Sequence, residues 1–296
     1  MEEEFLINLP SRDEMVITSY AKINLVLNIL NKRRDGYHEI ETIMQSVNLA
    51  DNLTITKEEG IKIECNNPQI PVDKGSLAYQ SAEKILQKYK IKSGVKIRID
   101  KRIPVASGMA GGSANSAAIL VGINKIYNLN LSVEDLRRIG EELGMDVPFC
   151  LQNGTALAYN RGEKIIPLPP IEPPLWLILI NPDLEISTQW AYHNIDLVGN
   201  SKRGGDKMKA MLQALKKGIP REIAQNLFNS FEEMIIKRYP EIEKIKSNLM
   251  KGGALGALMS GSGPTVFGIM QNKEEALKAY KKLKSEYRSI WLAHTI

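Results

Sequence analysis

The sequence predicts an α+β fold, and three observations carry that prediction. Strand-like and helix-like stretches neither alternate strictly nor separate into an all-β and an all-α half, which favours mixed layers over a doubly wound sheet. Residues 15–30, 45–57 and 61–65 open the chain as sheet, whereas its last third is dominated by helical spacing. The 296 residues, 43% hydrophobic and 25% charged, have a soluble globular composition and are enough for one large domain or two ordinary ones.

Each element has its own signal. Residues 15–30 alternate and then run apolar as a strand, and residues 34–39 (RDGYHE) form a tight turn before the strand-like runs 45–57 and 61–65. Residues 76–89 repeat apolar side chains at helical spacing, 95–99 alternate as a strand, and a glycine-rich loop leads into a helix over 113–127. Ser132 with Asp135 caps the next helix, which stops at Gly144 before the turn Met145-Asp146-Val147-Pro148. Five prolines within residues 167–174 stiffen the chain, so a domain boundary is expected there, dividing residues 15–168 from 169–296. Beyond it, residues 175–180 form a buried strand, and 198–207, rich in glycine and charge, are expected to be a mobile loop. Helices are expected over 209–217, 221–238, 242–251 and 273–286, with a strand over 265–270. There is no internal repeat.

Composition narrows the function. The longest apolar run, residues 175–180, is too short to cross a bilayer, and the acidic first residues are unlike a signal peptide, so a cytoplasmic location with no membrane partner is expected. The net charge of +5 is spread along the chain, which argues against nucleic acid and suits a small anionic substrate. Cys65 and Cys150 are too few for a disulfide framework and are expected to be buried thiols. His38, His193 and His294 lack the spacing of a metal-binding pair. A divalent ion such as Mg2+ would be held by carboxylate and phosphate oxygens.

The most informative stretch is residues 104–118, PVASGMAGGSANSAA. Gly108, Gly111 and Gly112 let backbone N–H groups approach a ligand closely, and the helix start that follows aims unpaired N–H groups and a partial positive charge at it. That combination binds phosphate, although a plain glycine turn before a core helix has the same outline. No lysine follows Gly112, which excludes a Walker loop, and Ala110 stands where a dinucleotide fingerprint needs its second glycine. Lys101 and Arg102 lie just upstream, so polyphosphate is the natural guest.

Three further clusters stand out. Lys22 and Asn24, two apart on a strand, share one face, which is either a solvated sheet face or part of a site. The 34–39 turn presents Tyr37 and His38, and Asp146 follows a helix stop, where an acid is often only a turn former. Residues 258–267 (LMSGSGPTVF) are a second glycine-rich turn entering a strand. Singly, each has an ordinary structural explanation. Their order is more specific.

The order AKINL (21–25), KRRDGYHE (32–39), the glycine loop, GMDVP (144–148) and MSGSGPTVF (259–267) resembles the GHMP kinase superfamily from about Met15 to the C-terminus. The resemblance is closest to members that phosphorylate a cytidyl-diphosphate-linked sugar alcohol for non-mevalonate isoprenoid synthesis. It implies a two-domain fold, with a ribosomal S5 domain 2-like N-terminal part that binds ATP and a ferredoxin-like C-terminal part, and an active site in the cleft between them. It also implies ATP as co-substrate with Mg2+, and transfer of the γ-phosphoryl group to the 2-hydroxyl of the methylerythritol. The expected assembly is a monomer or weak homodimer.

On the same resemblance Asp146 is the general base and Lys22 favours the developing alkoxide, while Asn24 helps to hold the substrate. Tyr37 would stack on the cytosine, His38 would meet its hydrogen-bonding edge, Thr188 would lie near the substrate and Tyr192 on the opposite face, with Trp190 competing for that last role. Pro104, Val105, Ala106, Ser107, Gly108, Met109, Ala110, Gly111, Gly112, Ser113 and Ala114 would wrap the triphosphate, with Lys101 on the nucleotide side. Met109, Ala110 and Ala114 depart from the family's commoner Leu, Gly and Ser, and the loop keeps its cradle provided Ala110 does not need a positive φ. Residues 1–14 have no counterpart in the resemblance and are expected to carry no chemistry. Other GHMP kinases acting on mevalonate or homoserine, and a non-catalytic nucleotide sensor on the same fold, are the alternatives. The aromatic turn at Tyr37 argues against the first, and Lys22 with Asp146 against the second.

Overall fold

A computed structural model gives the structure of the chain and describes residues 7–11, 14–195 and 200–296. The first half runs β1 (Ile7–Ser11), β2 (Glu14–Lys32), β3 (His38–Glu58), β4 (Ile61–Cys65), α1 (Leu77–Lys88), β5 (Gly94–Asp100), α2 (Gly111–Ile126), α3 (Val133–Glu141) and α4 (Val147–Gln152). There follow β6 (Thr155–Asn160), β7 (Lys164–Leu168), β8 (Trp176–Ile180), α5 (Thr188–Asn194), α6 (Asn200–Lys217), α7 (Pro220–Gln225) and β9 (Phe228–Asn229). The chain closes with α8 (Glu232–Arg238), α9 (Pro240–Lys251), β10 (Gly256–Met259), β11 (Val266–Met270), α10 (Lys273–Leu283) and β12 (Ile290–His294). The α+β class is as predicted. Among the described residues no helix is long and apolar enough to cross a membrane.

Two compact units share these elements: residues 1–21, 49–105 and 110–153 in one, and 22–48, 106–109 and 154–296 in the other. In the first, β1 pairs antiparallel with the start of β2 (Ile7 opposite Ile17), so five residues of the segment without counterpart are sheet. The second half of β3 pairs antiparallel with β5, and β4 lies parallel to β5, with Ile63 opposite Ile97. Buried Ile55, Ile97, Ile119, Leu120 and Ile123 belong to the core of this unit. Helix α2 sits so close to the sheet that a Cβ on Gly122 would lie 2.3 Å from Ile55 Cδ1, so any larger residue would force the packed isoleucines to shift.

In the second unit the first half of β3 pairs antiparallel with β6, which pairs with β7, and β9 runs parallel to β2, with Val26 opposite Phe228. A separate antiparallel sheet has the order β10-β11-β8-β12. Residues 177–180 of β8 are wholly buried, which explains the unbroken apolar run read from the sequence. Ile178, Ile180, Phe231, Ile245, Leu249 and Leu283 form part of one core in this unit.

Several expectations need correction. Residues 200–207, expected as a loop, belong to helix α6, whereas 198 and 199 lie outside the described residues. Gly204 lies within this helix, and its lack of a side chain allows a close approach: a Cβ would lie 1.9 Å from Asn28 Oδ1. The single helix expected over 221–238 is two helices, α7 and α8, divided by β9. Strand β3 starts seven residues before the expected position 45, at His38, and β6, β7, β10 and β12 had no expectation. Cys150 is buried but Cys65 is only partly so, and both are free thiols.

Candidate active site

In the second unit the glycine loop is built from Lys22 outward. Lys22 and Asn24 are both buried, at 4% and 3% exposure, which excludes the solvated sheet face. The Lys22 ammonium donates to Asn24 Oδ1 at 2.7 Å and to the Gly108 carbonyl at 3.2 Å, while its backbone N–H donates to Met109 O at 3.1 Å. Asn24 in turn donates to Thr42 Oγ1 at 2.8 Å, and Thr42 donates to Val26 O, so the amide orientation is fixed from behind. A buried ammonium is tolerated only with such partners.

The late glycine turn closes on the same loop. Ser260 Oγ donates to Gly108 O at 3.0 Å, and the Thr265 N–H donates to Ser107 O at 3.2 Å. Gly108 has φ +76°, and a Cβ there would lie 2.1 Å from Ser260 O, so both conformation and space demand glycine. Asn229 on β9 donates to the carbonyls of Met259 (2.8 Å) and Gly261 (2.7 Å) and braces the turn. Thr188 Oγ1 lies 2.8 Å from Ser262 Oγ, which ties the start of α5 to it. Asn229, Ser260 and Ser262 were missed as site-building residues. An asparagine inside an apparently continuous helical pattern was the only available signal for the first.

The residues expected on the substrate side also fall in this unit. His38 is buried, and its ring lies 5.3 Å from that of Tyr192, which packs edge-on against Phe231 at 4.8 Å. Trp190 instead sits under the Arg238 guanidinium and edge-on to Tyr239. The histidine therefore has Tyr192, not Trp190, as its aromatic neighbour. Burial, with the Lys32 charge adding to it, lowers the His38 pKa and favours the neutral imidazole. Tyr37 is 52% exposed and carries the Arg161 guanidinium 5.1 Å over its ring.

In the first unit the loop becomes helix α2. Ala110 has φ 56° and ψ 26°, so the condition attached to it fails: this alanine does adopt the left-handed conformation, as does Ala106 at φ 49°. The helix start has no side-chain cap bond and no acid in its first turn, an arrangement compatible with the expected phosphate cradle. Ala114 in this unit, like Ser107 and Met109 in the second, is buried. Gly144 lies against the same helix start, since a Cβ there would be 3.6 Å from Ser113 Oγ. Asp146, half-buried two residues on, holds the N-cap position of α4 without making a side-chain cap bond.

Lys101 is more enclosed than an upstream flanking cation should be. Its side chain is 3% exposed and pairs at 2.6 Å with Asp51, which is fully buried and also accepts from the N–H groups of Arg102 and Ile103. Burial lowers the Lys101 pKa, and the Asp51 charge and hydrogen bond oppose that shift. A Cβ on Gly111 would meet Lys101 Nζ at 2.8 Å, so the ammonium stands at the first residue of α2.

The family models for the GHMP kinases N terminal domain and GHMP kinases C terminal match residues 76–154 and 211–289. A 4-diphosphocytidyl-2-C-methyl-D-erythritol kinase of Acetivibrio thermocellus is 42% identical over 285 residues, covering 96% of this chain and 100% of that protein. The one of Caldicellulosiruptor bescii is 44% identical over 283 residues, 95% of this chain and 98% of that protein. Among solved structures, a 4-(cytidine 5'-diphospho)-2C-methyl-D-erythritol kinase matches with a TM-score of 0.79 at 28% identity, over 95% of this chain and 99% of that one. A homoserine kinase from Cytophaga hutchinsonii matches in fold alone, with a TM-score of 0.75 at 19% identity over 98% of this chain and 99% of that one.

Proposed function

The chain belongs to the 4-diphosphocytidyl-2-C-methyl-D-erythritol kinases, within the GHMP kinases, and from that membership we propose how its own residues divide the work. The enzyme phosphorylates 4-(cytidine 5'-diphospho)-2-C-methyl-D-erythritol with ATP in isoprenoid precursor synthesis. The substrate 2-hydroxyl oxygen forms the new bond to the γ-phosphorus, the bond to the β,γ-bridging oxygen breaks, and ADP leaves. The hydroxyl proton goes to Asp146. Lys22 favours the alkoxide as it develops, and Asn24 holds the ammonium and the substrate in register. Phosphoryl transfer asks mainly for positioning and charge neutralisation, which a cradle, a cation and an acid supply.

The observation that carries this reading is the Lys22 ammonium bound to the Gly108 carbonyl. It ties the proposed catalytic cation to the root of the loop proposed to hold ATP, at residues 104–114, with Lys101 supporting the start of α2. On the substrate side Tyr37 stacks on the cytosine, neutral His38 pairs with its edge, Tyr192 supplies the second aromatic, and Thr188 contacts the substrate. In sequence terms, residues 15–168 are the N-terminal, ATP-binding GHMP domain, which also carries Tyr37 and His38, and 169–296 are the C-terminal one. Among the described residues no group of three His, Cys, Asp or Glu side chains could hold a metal alone. The Ser113 hydroxyl at the start of α2 would be the protein's ligand to an ion held chiefly through phosphate oxygens, the usual manner of Mg2+. When bound, it would neutralise charge on the transferring group.

The test is direct. Purified protein is incubated with ATP, Mg2+ and, separately, the cytidyl substrate, mevalonate and homoserine, and ADP release is followed. Release is expected with the cytidyl substrate and not with the others. Comparable turnover of mevalonate or homoserine would overturn the substrate reading.

A further inference from the structure

The turn that bears Tyr37 is held by a closed ring of polar contacts, and one member of that ring lies on the tyrosine itself. Arg33 donates to Asp35 at 3.1 Å and to Glu39 at 2.7 Å across the turn, and the Tyr37 N–H donates to Asp35 Oδ1 at 3.1 Å. Desolvation raises the Asp35 pKa, but the Tyr37 N–H and the Arg33 guanidinium outweigh it and hold the carboxyl below its ordinary range. Arg33 also donates to Asn160 Oδ1, and Asn160 donates to Glu163.

Glu163 is only 3% exposed at its side chain, accepts from the Arg161 N–H at 3.0 Å and faces the Arg161 guanidinium at 3.6 Å. The ring closes where that guanidinium lies 5.1 Å over Tyr37.

Strand pairing explains why two segments so distant in sequence meet here. Ile40 pairs with Asn160, so the residues just before β3 and just after β6 lie at the same end of one strand pair. Tyr37 and Arg161 are therefore brought together by the register of the sheet. With half its surface exposed, Tyr37 would otherwise sample several rotamers, and ordering an exposed side chain costs entropy at the moment a ligand binds.

We propose that Arg161 is a positioning residue for the substrate base. Its guanidinium covers one face of the Tyr37 ring and, anchored by buried Glu163, holds the ring so that the other face is presented for stacking. This rests on the reading of Tyr37 as the cytosine-stacking residue. Arg161 acts through Tyr37, and it should govern affinity for the cytidyl substrate without governing the chemical step or ATP binding.

A double-mutant cycle on the full-length enzyme tests it, with KM for both substrates, kcat and melting temperature measured for Arg161→Met, Arg161→Lys, Tyr37→Ala and Tyr37→Ala/Arg161→Met. Arg161→Met is expected to raise the KM for the cytidyl substrate by about 5-fold, the scale of a partly exposed cation–π contact, with kcat and the ATP KM within about 2-fold. Arg161→Lys, which keeps a cation over the ring, should recover part of that loss, and it carries the test if Arg161→Met does not fold. In the Tyr37→Ala background the arginine change should add nothing. An equal rise in that background would show that Arg161 acts on the substrate directly, and an unchanged KM in Arg161→Met would show that it does not act at all; either overturns the positioning role. If Tyr37→Ala itself leaves the cytidyl KM unchanged, the stacking reading falls first and the proposal with it.

Discussion

At the residue scale the site depends on groups whose ordinary behaviour is altered by where they are buried. His38 is the clearest case. Its pKa lies below 6.5 because burial penalises the imidazolium and Lys32 repels it. A base with a lowered folded pKa binds fewer protons than the unfolded chain in the window between the two values. Its contribution to stability is therefore complete above 6.5 and is lost as pH falls toward the folded value. The neutral ring keeps one donor and one acceptor nitrogen for a base edge, whereas the protonated ring has donors only. The KM for the cytidyl substrate should stay flat from alkaline pH down to 6.5 and rise only below it, and His38→Gln should remove that acid-side rise. Initial-rate profiles at saturating ATP check this, and a rise centred above 6.5 would contradict it.

At the element scale, the segments whose apolar pattern matches one partner surface were legible in the sequence. Strands β2, β4, β5 and β8 and helices α1 and α2 were read from alternation, helical spacing or an unbroken apolar run, and the capping box of α3 was read from Ser132 and Asp135 alone. What escaped was set by tertiary contacts. The break at Phe228–Asn229 arises because β9 pairs with β2 and Asn229 must reach the 259–261 carbonyls, and neither demand leaves a local mark. Gly204, one of the glycines that suggested a loop, instead admits Asn28 against a helix.

The left-handed backbone at Ala110 was likewise invisible, because alanine there contradicts its own preference. That conformation costs an L-residue about 1–2 kcal/mol, of which the greater freedom of unfolded glycine takes back about 0.5–1 kcal/mol. Ala110→Gly should therefore raise stability by up to about 1 kcal/mol in chemical denaturation. Gly108→Ala should lower it by more than that, because its φ of +76° and the Ser260 carbonyl both exclude a Cβ. A destabilised Ala110→Gly would mean that the alanine is under no strain.

At the scale of the whole molecule, the sequence motifs identify the family and the reaction, and the structure shows which candidate residues fall in each unit. One unit contains the start of α2, Lys101 with Asp51, Gly144 against Ser113, and Asp146 two residues further on. The other contains Lys22 and Asn24, the loop around Gly108, the brace of Ser260 and Asn229, and the aromatic residues Tyr37, His38 and Tyr192. The candidate site was legible where a residue type announces its chemistry, as with a lysine on an apolar strand or an aromatic in a tight turn. It was not legible where a residue serves only to hold another, as with Thr42 behind Asn24 or Glu163 behind Arg161.

The proposed division of labour separates binding from chemistry, and Asp146→Asn tests it most directly. The variant is to be compared with the native enzyme by calorimetric binding of ATP and of the cytidyl substrate, and by turnover. The expected result is a fall in kcat of about 10²- to 10⁴-fold, the usual worth of a general base, with both affinities within about 2-fold of native. Retained turnover, or loss of both affinities along with it, would contradict the role of Asp146 as the base.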